Sequence, residues 1–260
     1  DGINPLTGSR LGPATGSPSE LAEFEDLMEA FRQQVDSGLR LKMTYDAIAR
    51  QAYAEFCPVP FTSLLMDDCL TSGRDYHDGG AHYNLPLVCG VGTGTMADSL
   101  AAIKQAVYDD GCLSLAELVE ALNANFQGHE RLRQMLLNRT PKWGNGDDRA
   151  DSLAHDVVNL FIEEVGKHHN EQGVPYAANM IPTTTHIWFG DLTGATPDGR
   201  LARAPLSEGI SPVQGMDRNG PTAVVRSMAR LDHARCCGTL LNMKFHPSAL
   251  SGEEGLVKFA

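Results

Sequence analysis

Six cysteines are the most reactive side chains in the sequence: Cys57, Cys69, Cys89, Cys112, Cys236 and Cys237. A redox dithiol or a zinc site would require Cys-x-x-Cys pairs or cysteines near histidines, and only the vicinal Cys236-Cys237 are close to one another. His168 and His169 are adjacent, which on a helix turns them about a quarter-turn apart rather than onto one ion. A zinc site would need nearby partners at i+3 or i+4, and His155 is too far away, so no metal ligand is assigned. Asp67-Asp68 are paired carboxylates, but neighbours on a helix diverge, and one capping and one solvated side chain is the expectation. Gly90-Val91-Gly92-Thr93-Gly94 precedes a helical stretch, as a phosphate cradle would. Its G-x-G-x-G spacing is not the dinucleotide fingerprint, and no Gly-Lys-Ser/Thr follows, so it reads as a tight helix entry that needs small residues. Lys142-Trp143-Gly144-Asn145-Gly146 reads as a polar turn with one aromatic anchor. No G-x-S-x-G elbow occurs. Taken singly, none of these motifs identifies a reaction.

The scaffold that would position them is an ordinary globular one. The 260 residues are 42% hydrophobic and 21% charged, enough for a sizeable core and too apolar for disorder. Lys and Arg number 21 against 33 Asp and Glu, a net charge of -12, which repels phosphate backbones and anionic lipid. Neither nucleic acid nor a membrane is therefore expected as a partner. Apolar runs such as residues 61–66 are far too short to span a bilayer. No basic-then-apolar leader opens the sequence, so reduced thiols in a cytoplasm are expected, most of them buried. Residue 1 is Asp rather than Met, which suggests processing or a piece of something longer.

Periodicity gives helices in the first two-thirds. Leu21, Phe24, Leu27, Phe31 and Val35 recur at three or four residues, with a break expected near Gly38 and a stop at Cys57-Pro58-Val59-Pro60. Residues 71–94 are glycine-rich and irregular. Helices follow from Met96 to Tyr108, and from the capping box Ser114-Leu115-Ala116-Glu117 to Phe126. A short helix then carries Leu132 and Met135. A long one, capped by Asp147 or Asp148, buries Leu153, Val157, Phe161 and Val165. Beyond Pro175 the texture changes. Residues 181–189 and 240–245 read as strands, with a short helix near Thr222 to Ala229 between them. The fold class expected is α/β, without regular βαβ alternation.

Longer blocks resemble the glycyl radical enzymes, the pyruvate formate-lyase and glycerol dehydratase group. Asp1-Gly2-Ile3-Asn4-Pro5-Leu6-Thr7-Gly8 is similar to a family segment, as are Gly79-Gly80-Ala81-His82-Tyr83-Asn84 and Pro141-Lys142-Trp143-Gly144-Asn145-Gly146-Asp147-Asp148. The strongest block begins at Gly194-Ala195-Thr196-Pro197-Asp198-Gly199-Arg200 and Pro205-Leu206-Ser207-Glu208-Gly209-Ile210-Ser211-Pro212. It continues to Gly238-Thr239-Leu240-Leu241-Asn242-Met243-Lys244-Phe245.

The resemblance implies part of a ten-stranded α/β barrel of the pyruvate formate-lyase type. It places residues 1–260 in the later half of that barrel domain, ending before the C-terminal glycyl radical domain. In such enzymes a glycyl radical oxidises a cysteine in a Gly-Cys-x-Glu loop, and the thiyl takes hydrogen from an enclosed substrate. Both loops are expected outside this stretch. Gly111-Cys112-Leu113-Ser114 has Ser where Glu is required, Cys236-Cys237 matches a later segment than the catalytic pair of formate-lyases, and residues 251–260 hold no Arg-Val-x-Gly-Tyr. No catalytic residue and no bound cofactor is assigned to the chain. The complete protein is expected to carry a glycyl radical installed by an AdoMet-dependent iron-sulfur activase, and to work as a homodimer in an anaerobic cytoplasm. The pocket contribution expected here is a barrel strand after Pro182, with Thr183, Thr185 and Ile187 facing a small substrate and Thr184, His186 and Trp188 on the other face. Pro-Thr-Thr-Thr-His leans toward dehydratases of hydroxylated compounds (glycerol, diol or hydroxyproline). The alternatives are a formate acetyltransferase of the pyruvate formate-lyase type and a non-catalytic remnant of the fold.

Overall fold

A computed structural model describes residues 2–3, 7–181 and 183–259. Asp1, Asn4 to Leu6 and Pro182, which the resemblance and the expected strand use, lie outside the described residues. Ten α-helices and two short strands are described. Helix α1 (Phe24–Phe56) runs 33 residues and passes Gly38 without a break. A mid-helix glycine costs only about 1 kcal/mol, and Leu39 beside it is buried in the main core. Helices α2 (Pro60–Leu64) and α3 (Asp67–Ser72) follow, the second closed by left-handed Gly73. Asp68 accepts the His82 N–H at 2.9 Å, while Asp67 is exposed.

Helix α4 (Thr93–Ile103) is buried along nearly its whole length and continues into a π-helical turn, Lys104–Asp109. Helix α5 (Leu115–Asn123) starts with the expected reciprocal box, Ser114 Oγ accepting from Glu117 N–H and the Glu117 carboxylate from Ser114 N–H. It ends earlier than Phe126, in a turn where Asn125 and Phe126 take positive φ. Helix α6 (Glu130–Arg139) and helix α7 (Asp148–Gly166), capped by Asp147, complete the helical part. Helices α4 and α7 pack side by side. Arg32 of α1 reaches the buried Glu164 of α7 at 2.7 Å.

Strands β1 (Leu87–Cys89) and β2 (Ala177–Asn179) pair in parallel, Val88 opposite Ala178. The later helices are α8 (Thr185–Leu192), α9 (Pro221–Met228) and α10 (Gly252–Phe259). The 240–245 stretch is not a strand. Just before it Thr239 makes a parallel bridge with Met180, and within it Leu240 N–H donates to Met180 O while Leu240 O accepts from Ile210 N–H. The family barrel is not closed by the described residues, which supply a helix-rich α/β portion with a short parallel sheet.

Candidate functional site: the open face of a parallel sheet

The sheet is longer than its regular strands. Ala177 N–H donates to Pro86 O and Gly90 N–H to Asn179 O. On the other edge of β2, Cys237 N–H donates to Ala178 O, Met180 N–H to Gly238 O and Leu240 N–H to Met180 O. Residues 237–240 thus lie beside β2 as a third parallel member. Side chains alternate across a sheet. Val88, Ala178 and Met180 enter the main core with Val158, Ile162 and Val165 of α7. The opposite face is uncovered. Leu87 is 44% exposed and Ile181 38%, and Cys89 is exposed between them. Asn179 lies beside Cys89 in register, and its Oδ1 is buried without a hydrogen-bond donor. Desolvation raises the Cys89 thiol above its ordinary pKa, and its Sγ–H faces Gly90 O at 3.7 Å rather than a base. That thiol is not poised as a thiolate.

In parallel sheets, ligand sites form beyond the carboxyl ends of the strands. Here that end is closed by backbone-to-backbone packing. A Cβ on Gly90 would strike the Met180 sulfur, and one on Gly94 would lie 2.7 Å from Ser211 O. Gly92 takes φ 84° as the N-cap of α4. The G-x-G-x-G run is therefore a tight helix entry. Thr95 and Ser207 seal it, each side-chain oxygen accepting the other's backbone N–H, at 2.9 and 3.0 Å.

The expected substrate-facing strand is a helix. After β2 the chain turns through Thr183 at φ 49°, and α8 begins at Thr185. β-branched and aromatic residues favour strands only where a sheet receives them. Helix α8 is instead pinned to the 204–206 segment: Leu206 N–H donates to His186 O, and a Cβ on Gly190 would meet Ala204 O. Thr183 is exposed, Thr185 half-buried and Ile187 49% exposed. Residues two apart on a helix point to nearly opposite sides, so Thr185 and Ile187 share no face. His186 and Ile187 line a cleft of about 980 Å³, together with Glu208, Ser211, Asn242 and Lys244.

Behind that cleft sits a buried polar cluster. Asp98 is fully buried; its Oδ1 accepts the Trp143 N–H at 2.6 Å, and its Oδ2 has no partner among the described residues. Burial pushes its carboxyl up to about 8, against the opposing pull of Lys142. Burial likewise pushes Lys142 down, while its Nζ donates to Asp198 O at 3.1 Å. The Trp143 indole, with no exposed surface, donates from Nε1 to Ile210 O at 2.8 Å. Arg200 spends its guanidinium locally, on Thr196 Oγ1 and the carbonyls of Leu201, Ala204, Thr193 and Gly194. It is a loop staple, not an anion receptor. Sequence reasoning missed Asp98 as a buried acid, although an aspartate inside the apolar 97–103 run was the available signal. It also missed the open sheet face, because both regular strands are only three residues long.

The cysteines are mostly at the surface, contrary to expectation. Cys57, Cys89, Cys112 and Cys237 are exposed, and only Cys69 is fully buried. Cys57, Cys112 and Cys237 lie outside the regular elements, and Cys89 is on the outward side of β1. Cys112 donates to Ala106 O at 3.3 Å, closing the π-helical turn. Among the described residues no group of three or more His, Cys, Asp or Glu converges as metal ligands would. No helix among them is long and apolar enough to cross a membrane.

Two family profiles match the chain: Pyruvate formate lyase-like over residues 1–190 and Glycine radical over residues 206–260. Trans-4-hydroxy-L-proline dehydratase of Clostridioides difficile is 43% identical over 260 residues, 100% of this chain and 33% of that protein. The solved structure of that species' hydroxyproline dehydratase with substrate bound superposes at TM-score 0.95, covering 99% of this chain and 33% of that one. The glycerol-bound B12-independent glycerol dehydratase of Clostridium butyricum superposes at 0.93 with 38% identity, again over 99% of this chain and 33% of that one. The chain spans about a third of the length of the relatives it matches. The second profile starts at residue 206, inside the stretch read from sequence as barrel. With profiles, relatives and superposed structures in agreement, the chain belongs to the pyruvate formate lyase-like glycyl radical enzyme family.

Proposed function

We propose that this chain is the cavity-wall portion of a glycyl radical dehydratase acting on a small hydroxylated compound of the glycerol, diol or hydroxyproline kind. The observation that carries this is 43% identity across the whole chain to a hydroxyproline dehydratase, with a TM-score of 0.95. In the complete protein the glycyl radical supplies the means to make a cysteine thiyl. That thiyl would supply hydrogen-atom abstraction from a substrate carbon and return of the atom to the product, while the neighbouring hydroxyl would leave as water with a proton that an acid lends and recovers from the substrate's remaining O–H or N–H. The net change is loss of one water.

The chain's own contribution to this reading is enclosure. An apolar open face of Leu87, Cys89 and Ile181, once covered, keeps bulk water from radical intermediates. Thr183, Thr185 and Ile187, at and beyond the end of β2, remain proposed substrate contacts. Also part of the proposal are an AdoMet-dependent iron-sulfur activase as partner, a homodimeric complete enzyme and an anaerobic cytoplasm.

The test uses the full-length protein that contains this chain, activated anaerobically and offered trans-4-hydroxy-L-proline, glycerol and propane-1,2-diol separately. Elimination of water from one of them supports the reading. A protein that acquires the glycyl radical yet dehydrates none, or cleaves pyruvate with coenzyme A instead, overturns it.

A further inference from the structure

The two family profiles divide the chain near residue 200, as if a second unit began at 206. The hydrogen bonds do not respect that division. Thr95 and Ser207 exchange two bonds, and Trp143 Nε1 holds Ile210 O. Asn145 is held largely by the later segment: its Nδ2 donates to Met216 O as well as to Lys142 O, its Oδ1 accepts from the N–H groups of Arg218 and Asn219, and its carbonyl accepts from Asn219 Nδ2. Ser227 bridges Gly146 N–H and the buried Asp151, and Arg230 pairs with Asp148 at 2.8 Å. Residues 237–240 then pair with β2 through three backbone bonds. Val224, Met228 and Leu231 sit in the same buried cluster as Val158 and Val165.

We infer that residues 206–240, although matched by the Glycine radical profile, are an integral wall of the fold built by residues 1–190, and that any separately folding unit of that profile begins after Leu240. The physical argument is satisfaction. Detaching residues 206–240 would break the bonds made to Trp143 Nε1, the Asn145 amide, Asp151 and the outer edge of β2, and would uncover the core contacts of Val224, Met228 and Leu231, so hydrogen bonding and apolar burial are lost together. Elements whose polar groups complete one another open together, as one cooperative unit. The inference holds whatever reaction the complete enzyme performs.

Native-state hydrogen exchange on the full-length protein that contains this chain tests it, with Ser207→Ala as the variant. The amides of Ser207, Ile210 and Leu240 should open with those of Val158 and Val165 in α7, with protection matched within roughly tenfold. Ser207→Ala should lower both groups by the same factor. Where Ser207→Ala fails to fold, Asn145→Ala serves for the same comparison. A separate, faster opening of residues 206–240 while α7 stays protected overturns the inference, as does a variant that exposes only its own segment.

Discussion

The backbone N–H of Trp143 donates to Asp98 Oδ1 at 2.6 Å, while Asp98 Oδ2 is buried with no hydrogen-bond partner among the described residues. One carboxylate thereby ties helix α4 to the 141–146 turn. Its acidity follows from place. Burial raises the carboxyl from 3.8 to about 8, and Lys142 offsets only part of that rise. A carboxyl that binds its proton more tightly when folded gives stability that is complete below its unfolded pKa and lost as pH climbs through the folded value. Stability should therefore fall between about pH 4 and about pH 8 through this group. Asp98→Asn, which keeps an acceptor for Trp143 and cannot ionise, should flatten that decline. Urea midpoints of both proteins across the range decide it, and parallel slopes would count against the assignment.

Gly94 is a second point of leverage. A methyl there would sit 2.7 Å from Ser211 O and 3.2 Å from Ser207, both on the segment that closes the α4 entry. Gly94→Ala should cost about 1–3 kcal/mol, as overpacking of a tight site does. A thermal melt unchanged from the parent would mean the segment yields at no cost.

Arg200→Lys should destabilise by about 2 kcal/mol, since a lysine brings three donors on one atom where the guanidinium spreads five over a fork. The carbonyls of Thr193, Gly194, Leu201 and Ala204 are held by that fork. Anion binding, measured by phosphate titration, should be absent in both proteins. Phosphate binding lost on substitution would return Arg200 to a recognition role.

Much of this was legible from residue order. The Ser114 box, the Asp147 cap, the α7 stripe and the Trp143 anchor all depend on near neighbours, and each formed where spacing put it. What escaped were features set by distant chain. Thr-Thr-Thr-His-Ile-Trp carries strand propensity, but the parallel pairing described ends at Met180 and Leu240, and contact with residues 204–206 decides for helix. Gly38 should weaken α1, yet the buried Leu39 holds the helix across it. The open face was hidden because parallel strands of three residues leave too short an alternation to read.

Treated anaerobically with a radical-AdoMet activase and AdoMet, the 260-residue chain should give no glycyl-radical doublet by electron paramagnetic resonance. It contains no Arg-Val-x-Gly-Tyr sequence. A doublet would show that a glycine in an unrelated context stores the spin.

The uncovered surfaces should make the isolated chain adhesive. Ile181 (38% exposed), Leu87, Phe189 and Trp188 (74%) offer apolar area that a net charge of -12 does not protect, because repulsion is screened within about 10 Å at moderate salt. Binding of a hydrophobic dye, or association in light scattering, is the expected outcome. A monodisperse, dye-silent monomer would mean these side chains find cover within the chain.

The sequence has two tryptophans, and they occupy opposite extremes: Trp143 has no accessible surface and Trp188 is 74% exposed. Their emission is accordingly separable, a blue-shifted component sheltered from iodide and a red-shifted one open to it. Trp188 stands exposed on α8, so its iodide quenching would track whatever comes to cover that helix. Trp143 would meanwhile register whether the interior has stayed intact. The protein thus carries, unlabelled, an optical probe for docking and an internal control for unfolding in the same spectrum.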